Sequence, residues 1–153
     1  MKANFCFDFV ILVADHDASV RKYETLLGIE PIELDPATLP TPNTRCTVFP
    51  LWNEGDRGMV LSLVTPGDAD SVQGRQLARR GEGLALFGID VDDVEAVVEQ
   101  GSRPCVEWMD ETPTPYDYGR MVFARPSSTH DVPFFFSTHR PGWWAKTLAG
   151  GKS

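Results

Sequence analysis

The chain has 153 residues, of which 42% are hydrophobic and 24% charged, with a formal net charge of -8 at pH 7. That length fits one domain, and the composition excludes a disordered or collagen-like chain. The acidic excess repels polyanions, so neither nucleic acid nor an anionic membrane surface is expected as a partner, and no apolar run approaches the ~20 residues that cross a bilayer.

Asp8 interrupts the N-terminal apolar run that a secretory signal would need. The cysteines are Cys6, Cys46 and Cys105, an odd count without C-x-x-C spacing. They argue against a disulfide framework or a zinc knuckle and for a reducing, cytoplasmic setting.

The first strand, FVILVAD at 9–15, runs into Asp. A helix follows, with Asp15 or Asp17 as its cap, Val20, Tyr23, Leu26 and Leu27 on its apolar stripe, and Gly28 at its left-handed stop. Residues 34–44 are Pro- and Thr-rich and predict a loop, and TVF at 47–49 and MVLSLV at 59–64 read as strands. A polar connector at 67–83 carries a short helix. The strand FGIDVDD at 87–93 then repeats the first, and Asp92 with Glu95 predicts a capping box for a helix striped by Val94, Val97 and Val98 and closed by Gly101. A second Pro- and Thr-rich loop at 110–118 precedes strands at MVF 121–123 and PFFFST 133–138. Pro31, Pro40 and Pro42 recur as Pro104, Pro113 and Pro115 at one constant spacing.

The chain therefore reads twice, each copy as strand, helix, strand, strand, strand. The expected fold class is α+β, one domain of tandem βαβββ modules: module one at about 5–66, connector 67–83, module two at about 84–138 and a tail at 139–153 that frays beyond Leu148. Trp143 and Trp144 in that tail are predicted to cover a groove, cap a cleft or dock on a second subunit.

Three stretches, VADHDASVRKYETLLGIEP at 13–31, RRGEGLALFGIDVDD at 79–93 and GRMVFARPSSTHDV at 119–132, resemble the vicinal oxygen chelate superfamily of glyoxalases, bleomycin-resistance proteins and extradiol dioxygenases. The second half most resembles methylmalonyl-CoA epimerases. The resemblance implies curved mixed sheets around a cleft, a homodimer, and four inward positions that hold a divalent ion in such proteins. Carried over, those positions fall on Asp8, Ser62, Leu86 and Phe135, or Phe136 if the register slips by one. Leu and Phe have no lone pairs, so no metal and no other cofactor is expected. His16 reads as a solvated helix-start residue, His130 as a turn residue, and His139 as leaning over the cleft mouth. His130 and His139 stand too far apart along an extended strand to share an ion.

Period-two alternation puts Phe7, Phe9, Ile11 and Val13 on the helix face of the first strand and Asp8, Val10 and Leu12 on the cleft face. An acid in an apolar wall makes Asp8 the candidate general acid or base. Trp52, Trp108, Met109, Tyr116 and Tyr118 are expected to border the cleft and suit a planar or acyl ligand. Arg120 and Arg125, the connector's Arg75, Arg79 and Arg80, and His130 complete the candidate ligand-binding set, the cations serving a carboxylate or the phosphates of a CoA thioester. Two readings result. One is a metal-independent protein that binds a small, largely apolar or aromatic ligand, as in the resistance branch. The other is an epimerase-like isomerase or lyase acting on a carbonyl or acyl-CoA compound, with Asp8 as acid or base.

Overall fold

The structure is a computed structural model and describes residues 2–103 and 105–150. Pro104, one of the recurring prolines, and Gly151, Lys152 and Ser153 of the tail lie outside the described residues. The first module comprises β1 (Ala3–Leu12), α1 (His16–Leu27), β2 (Ile32–Glu33), β3 (Arg45–Glu54) and β4 (Arg57–Thr65). After α2 (Val72–Arg80), the second comprises β5 (Gly83–Val91), α3 (Val94–Ser102), β6 (Thr114–Tyr116), β7 (Gly119–Phe123) and β8 (Phe134–His139), and α4 (Trp143–Leu148) ends the chain.

All eight strands form one curled sheet in the order β2-β3-β4-β1-β5-β8-β7-β6, a half-barrel whose halves mirror one another about the antiparallel β1–β5 pair. β4 runs parallel to β1 and β8 parallel to β5, because each module returns to its own first strand. The convex face carries the helices. Val20, Tyr23 and Leu27 of α1 pack on Val13, Phe49 and Leu63, while Val94, Val97 and Val98 of α3 pack on Val91, Val122 and Phe136. The concave face carries a separate apolar cluster that includes Val10, Leu12, Val48, Val60 and Phe135.

Local chemistry accounts for the helix ends. Asp15 accepts a hydrogen bond from Ala18 N at the start of α1, and Gly28 takes the left-handed stop at φ 65°. The second cap falls one residue later than expected, on Asp93, which accepts from Ala96 N. Gly101 lies inside the last turn of α3 instead of ending it. A Cβ there would stand 2.4 Å from the Trp108 ring, so the glycine makes room for the indole.

Two expectations fail at the strands. Residues 114–116 form β6 in place of a loop. It is an edge strand, where Pro115, lacking an N–H, is tolerated. In β1 a register shift between Cys6 and Asp8 interrupts the alternation, so Phe7 as well as Asp8 faces the concave side. His16 also departs from its solvated reading, being only 5% exposed. Its Nδ1 lies 2.8 Å from Thr65 Oγ1 and its Nε2 2.8 Å from Thr47 Oγ1. Thr65 donates its own proton to Val13 O, so Nδ1 is the donor and Nε2 accepts from Thr47. The neutral ring thereby ties the start of α1 to β3 and β4.

The tail is pinned as far as Gly150. Asp56 accepts from Gly142 N and Trp144 N, Lys146 pairs with Asp117, and Gly150 O accepts from Asp35 N. Trp144 packs so closely on Gly58 that a Cβ there would meet its ring at 2.2 Å. Of the three placements expected for the tryptophan pair, α4 takes that of a cap over one end of the concave face.

Candidate ligand-binding cleft

The concave face encloses a cavity of about 130 Å3. That is similar to the ~150 Å3 engineered cavity that admits benzene. Its walls are mostly apolar, built from Val10, Val60, Met121, Phe123 and Phe135, with a few polar groups set among them. The four positions carried over from the resemblance, Asp8, Ser62, Leu86 and Phe135, all line it. Phe136 does not, since it turns to the convex side and meets Trp108 at a centroid distance of 5.9 Å.

Asp8 is the centre of the cavity's chemistry. Ser62 Oγ donates to its Oδ1 at 2.6 Å. Burial disfavours the carboxylate and pushes the pKa up from 3.8 to about 7, with the Ser62 hydrogen bond opposing the rise. The residue is partly buried, and the cavity leaves its carboxyl group accessible from that side. Cys46 stands near Asp8 and Ser62, and burial first, then the nearby Asp8 charge, raises its thiol beyond the range of thiolate chemistry.

Two tyrosines differ in how their hydroxyls are used. Tyr116 lies 2.8 Å from Ser137 Oγ, and Ser137 in turn donates to Arg120 O, so Tyr116 is the donor and its proton is committed. The buried Tyr118 hydroxyl has no hydrogen-bond partner. Thr38 stands near enough to offset part of the burial that raises this phenol, yet the Thr38 hydroxyl gives its proton to Asp35 O.

His139 lies within β8, below the mouth where it was expected, and lines the same cavity. Its ring stacks on Trp143 at 3.9 Å and meets Phe7 edge-on at 4.4 Å. Alternation along β8 contained the signal, since His139 shares a face with Phe135 and Ser137.

The remaining candidates lie elsewhere. Trp52 sits past the cleft on the long β3–β4 hairpin, 42% exposed and edge-on to Phe5. Trp108 is buried on the convex side, in a bridge to Ala124, with its indole donating to Ser102 Oγ. Arg120 points outward to pair with Glu95 of α3, because its neighbour Met121 takes the inward position. His130 is exposed, in a left-handed turn at φ 56°, and Arg125 donates to Trp108 O. Arg75, Arg79 and Arg80 line a groove of about 580 Å3 that shares Thr41, Gln73, Leu86 and Phe123 with the cavity, and Met109 lies along it. None of the three makes an ion pair among the described residues.

A divalent ion does not fit this donor set. Asp8 and Ser62 supply one carboxylate and one hydroxyl, Leu86 and Phe135 supply nothing, and no cluster of three or more His, Cys, Asp or Glu occurs among the described residues.

Paired βαβββ modules curled around an apolar cleft define a protein of the glyoxalase-like class. The sequence profile of the Glyoxalase/Bleomycin resistance protein/Dioxygenase superfamily matches residues 7–138, and the chain belongs to that superfamily. Among solved structures, a methylmalonyl-CoA epimerase in complex with methylmalonyl-CoA and NH4+ is similar at 23% identity, covering 92% of this chain and 97% of that one, with a TM-score of 0.79. A single-residue variant of the Streptomyces coelicolor methylmalonyl-CoA epimerase, in complex with 2-nitronate-propionyl-CoA, has the same identity, coverage and TM-score. The Mycobacterium tuberculosis methylmalonyl-CoA epimerase follows at 22% identity, 92% and 91% coverage and a TM-score of 0.75. No curated protein matches the chain. No helix among the described residues is long and apolar enough to cross a membrane.

Proposed function

We propose that this chain binds a small, largely apolar or aromatic carbonyl compound in its cleft without a metal ion. Asp8, Ser62 and Tyr118 supply the polar contacts, and Leu86 and Phe135 supply apolar wall at two of the four positions carried over from the resemblance. The observation that carries the reading is the cavity itself, concave and mostly apolar, with one hydrogen-bonded carboxylate among the described residues of its wall.

The Asp8 pKa of about 7 favours a second reading, proton transfer on the bound compound. The ionised Asp8 would remove a proton from the carbon next to the carbonyl. The C–H electron pair would move into the C–C bond as the carbonyl becomes an enolate, and the Tyr118 hydroxyl would hydrogen-bond to the enolate oxygen. Return of the proton from Asp8 to the same carbon restores the compound, with α-proton exchange as the net result, and an isomer forms where Asp8 would return the proton to the neighbouring carbon of an enediolate. An acyl-CoA suits this reading, because the neighbouring structures hold CoA thioesters and Arg75, Arg79 and Arg80 stand where phosphates would leave the cleft.

Titration of tryptophan fluorescence with small aromatic acids and short acyl-CoAs, paired with α-proton exchange in D2O, tests both readings. The expected result is saturable binding that Asp8→Asn changes by no more than a few-fold. If the cleft is catalytic, the wild type also exchanges the α-proton and Asp8→Asn abolishes that exchange. Failure of every probe to bind overturns the cleft reading, and one metal ion per subunit after chelator-free purification overturns its metal-free part.

A further inference from the structure

Among the described residues, three buried side-chain polar atoms have no hydrogen-bond partner: Tyr118 Oη, His139 Nε2 and Trp144 Nε1. Two of the three belong to residues that line the cleft. An unpaired buried polar group costs about 1–3 kcal/mol, so such atoms collected at one cavity point to an occupant that pairs with them. Tyr118 is already part of the binding reading. His139 is not.

The His139 ring is held from three sides. Its side chain is 4% exposed, Trp143 stacks on one face and Phe7 packs against it edge-on. Nδ1 lies 2.5 Å from Asp90 Oδ1, and the other Asp90 oxygen accepts from Asn4 Nδ2 at 2.8 Å. Asp90 borders a separate opening on the outer side and is absent from the cleft wall, whereas His139 borders both. The ring thus lies between the two spaces, with Nδ1 engaged by Asp90 and Nε2 left without a partner. In the neutral ring, a carboxylate on Nδ1 fixes the proton there and leaves Nε2 with a bare lone pair. An acceptor in that place calls for a donor.

We propose that His139 is a further polar contact of the cleft, that its Nε2 accepts a hydrogen bond from a hydroxyl of the bound compound, and that Asp90, itself held by Asn4, is the positioning residue that sets the tautomer. This rests on the cleft-binding reading and narrows it to phenolic, enolic or other hydroxyl-bearing apolar compounds. The hydroxyl lies at the α4 end, beside Trp143, while Asp8 and Ser62 meet a different part of the molecule.

Phenol and toluene are near-isosteric probes that differ in the hydroxyl. Their affinities for wild type, His139→Phe and Trp52→Phe, read from amide chemical-shift titrations, give a phenol-to-toluene ratio for each protein. The ratio should fall about five- to tenfold in His139→Phe, the loss of one hydrogen bond, with toluene affinity little changed. It should stay within about twofold of wild type in Trp52→Phe, whose side chain lies outside the cleft. An unchanged ratio in His139→Phe, or an equal fall in Trp52→Phe, overturns the assignment of His139 while leaving the cleft reading intact. Absence of binding by either probe to the wild type overturns both. A measurement on unsubstituted protein covers the case in which His139→Phe, by leaving Asp90 unpaired, fails to fold. In 15N spectra of the His139 ring, Nε2 should resonate as an unprotonated nitrogen and shift upfield with phenol but not with toluene. A protonated Nε2, or no shift with phenol, overturns the proposal.

Discussion

Asp8 is a carboxyl group kept where its charge is poorly solvated, and that has a measurable consequence for stability. Its folded pKa of about 7 lies above the ordinary 3.8, so between those values the folded chain holds a proton that the unfolded chain has lost. Stability contributed by Asp8 is therefore greatest below pH 4 and is lost as the pH rises through 7. The gap of about three units corresponds to about 4 kcal/mol. His16 opposes this trend. Burial first, then the Arg45 charge, lowers its pKa, so protonation favours the unfolded chain as the pH falls below about 6.5. In urea unfolding, Asp8→Asn should be more stable than wild type by about 2 kcal/mol at pH 8, with the advantage gone or reversed at pH 5. The His16 contribution cancels in that comparison because both proteins carry it. Equal advantage at both pH values would mean that Asp8 titrates normally. Asp8 was legible from sequence because an acid inside an apolar strand breaks a local pattern. His16 was not, because its partners Thr47 and Thr65 arrive from strands distant in the chain.

At the scale of elements, the duplication was readable because each strand and helix buries an apolar face whose period lies within a few consecutive residues. The order of strands and helices follows that reading, with β6 the exception, since its Pro- and Thr-rich stretch reads as a loop. The bulge at Phe7 was hidden, since a register shift is a property of the β1–β5 pair and not of either strand alone. It brings Phe7 against His139, Phe135 and Trp143 and so builds the end of the cleft nearest α4. Trp52 and Trp108 were misplaced for a related reason, in that an aromatic residue fits a convex helix seam or a hairpin end as well as it fits a cleft. α4 depends on a close approach at Gly58. Gly58→Ala should push the Trp144 ring aside, lower stability by about 1–3 kcal/mol and shift tryptophan emission to the red. A variant with wild-type stability and emission would mean that α4 does not rest on β4 as described.

At the scale of the whole molecule, the net charge of -8 and the arginine-lined groove pull in opposite directions. Long-range repulsion slows the approach of an anion, so a phosphate-bearing ligand has to gain its affinity at Arg75, Arg79 and Arg80 themselves. Replacing Arg79 and Arg80 together by Ala should weaken a short acyl-CoA by about tenfold or more while leaving phenol within about twofold. Equal loss for both probes would place the effect on folding and not on the groove. The two halves of the sheet mirror one another, but the chain ends do not. α2 leaves its side of the cleft open, and α4 with Trp143 and Thr147 shuts the other. The result is a blind-ended socket. On the proposed binding reading, a guest would slide in leading end foremost and come to rest against indole and imidazole, so that selection would fall on the few atoms that arrive first, and whatever trails behind would be left hanging outside, free to be long, bulky or charged.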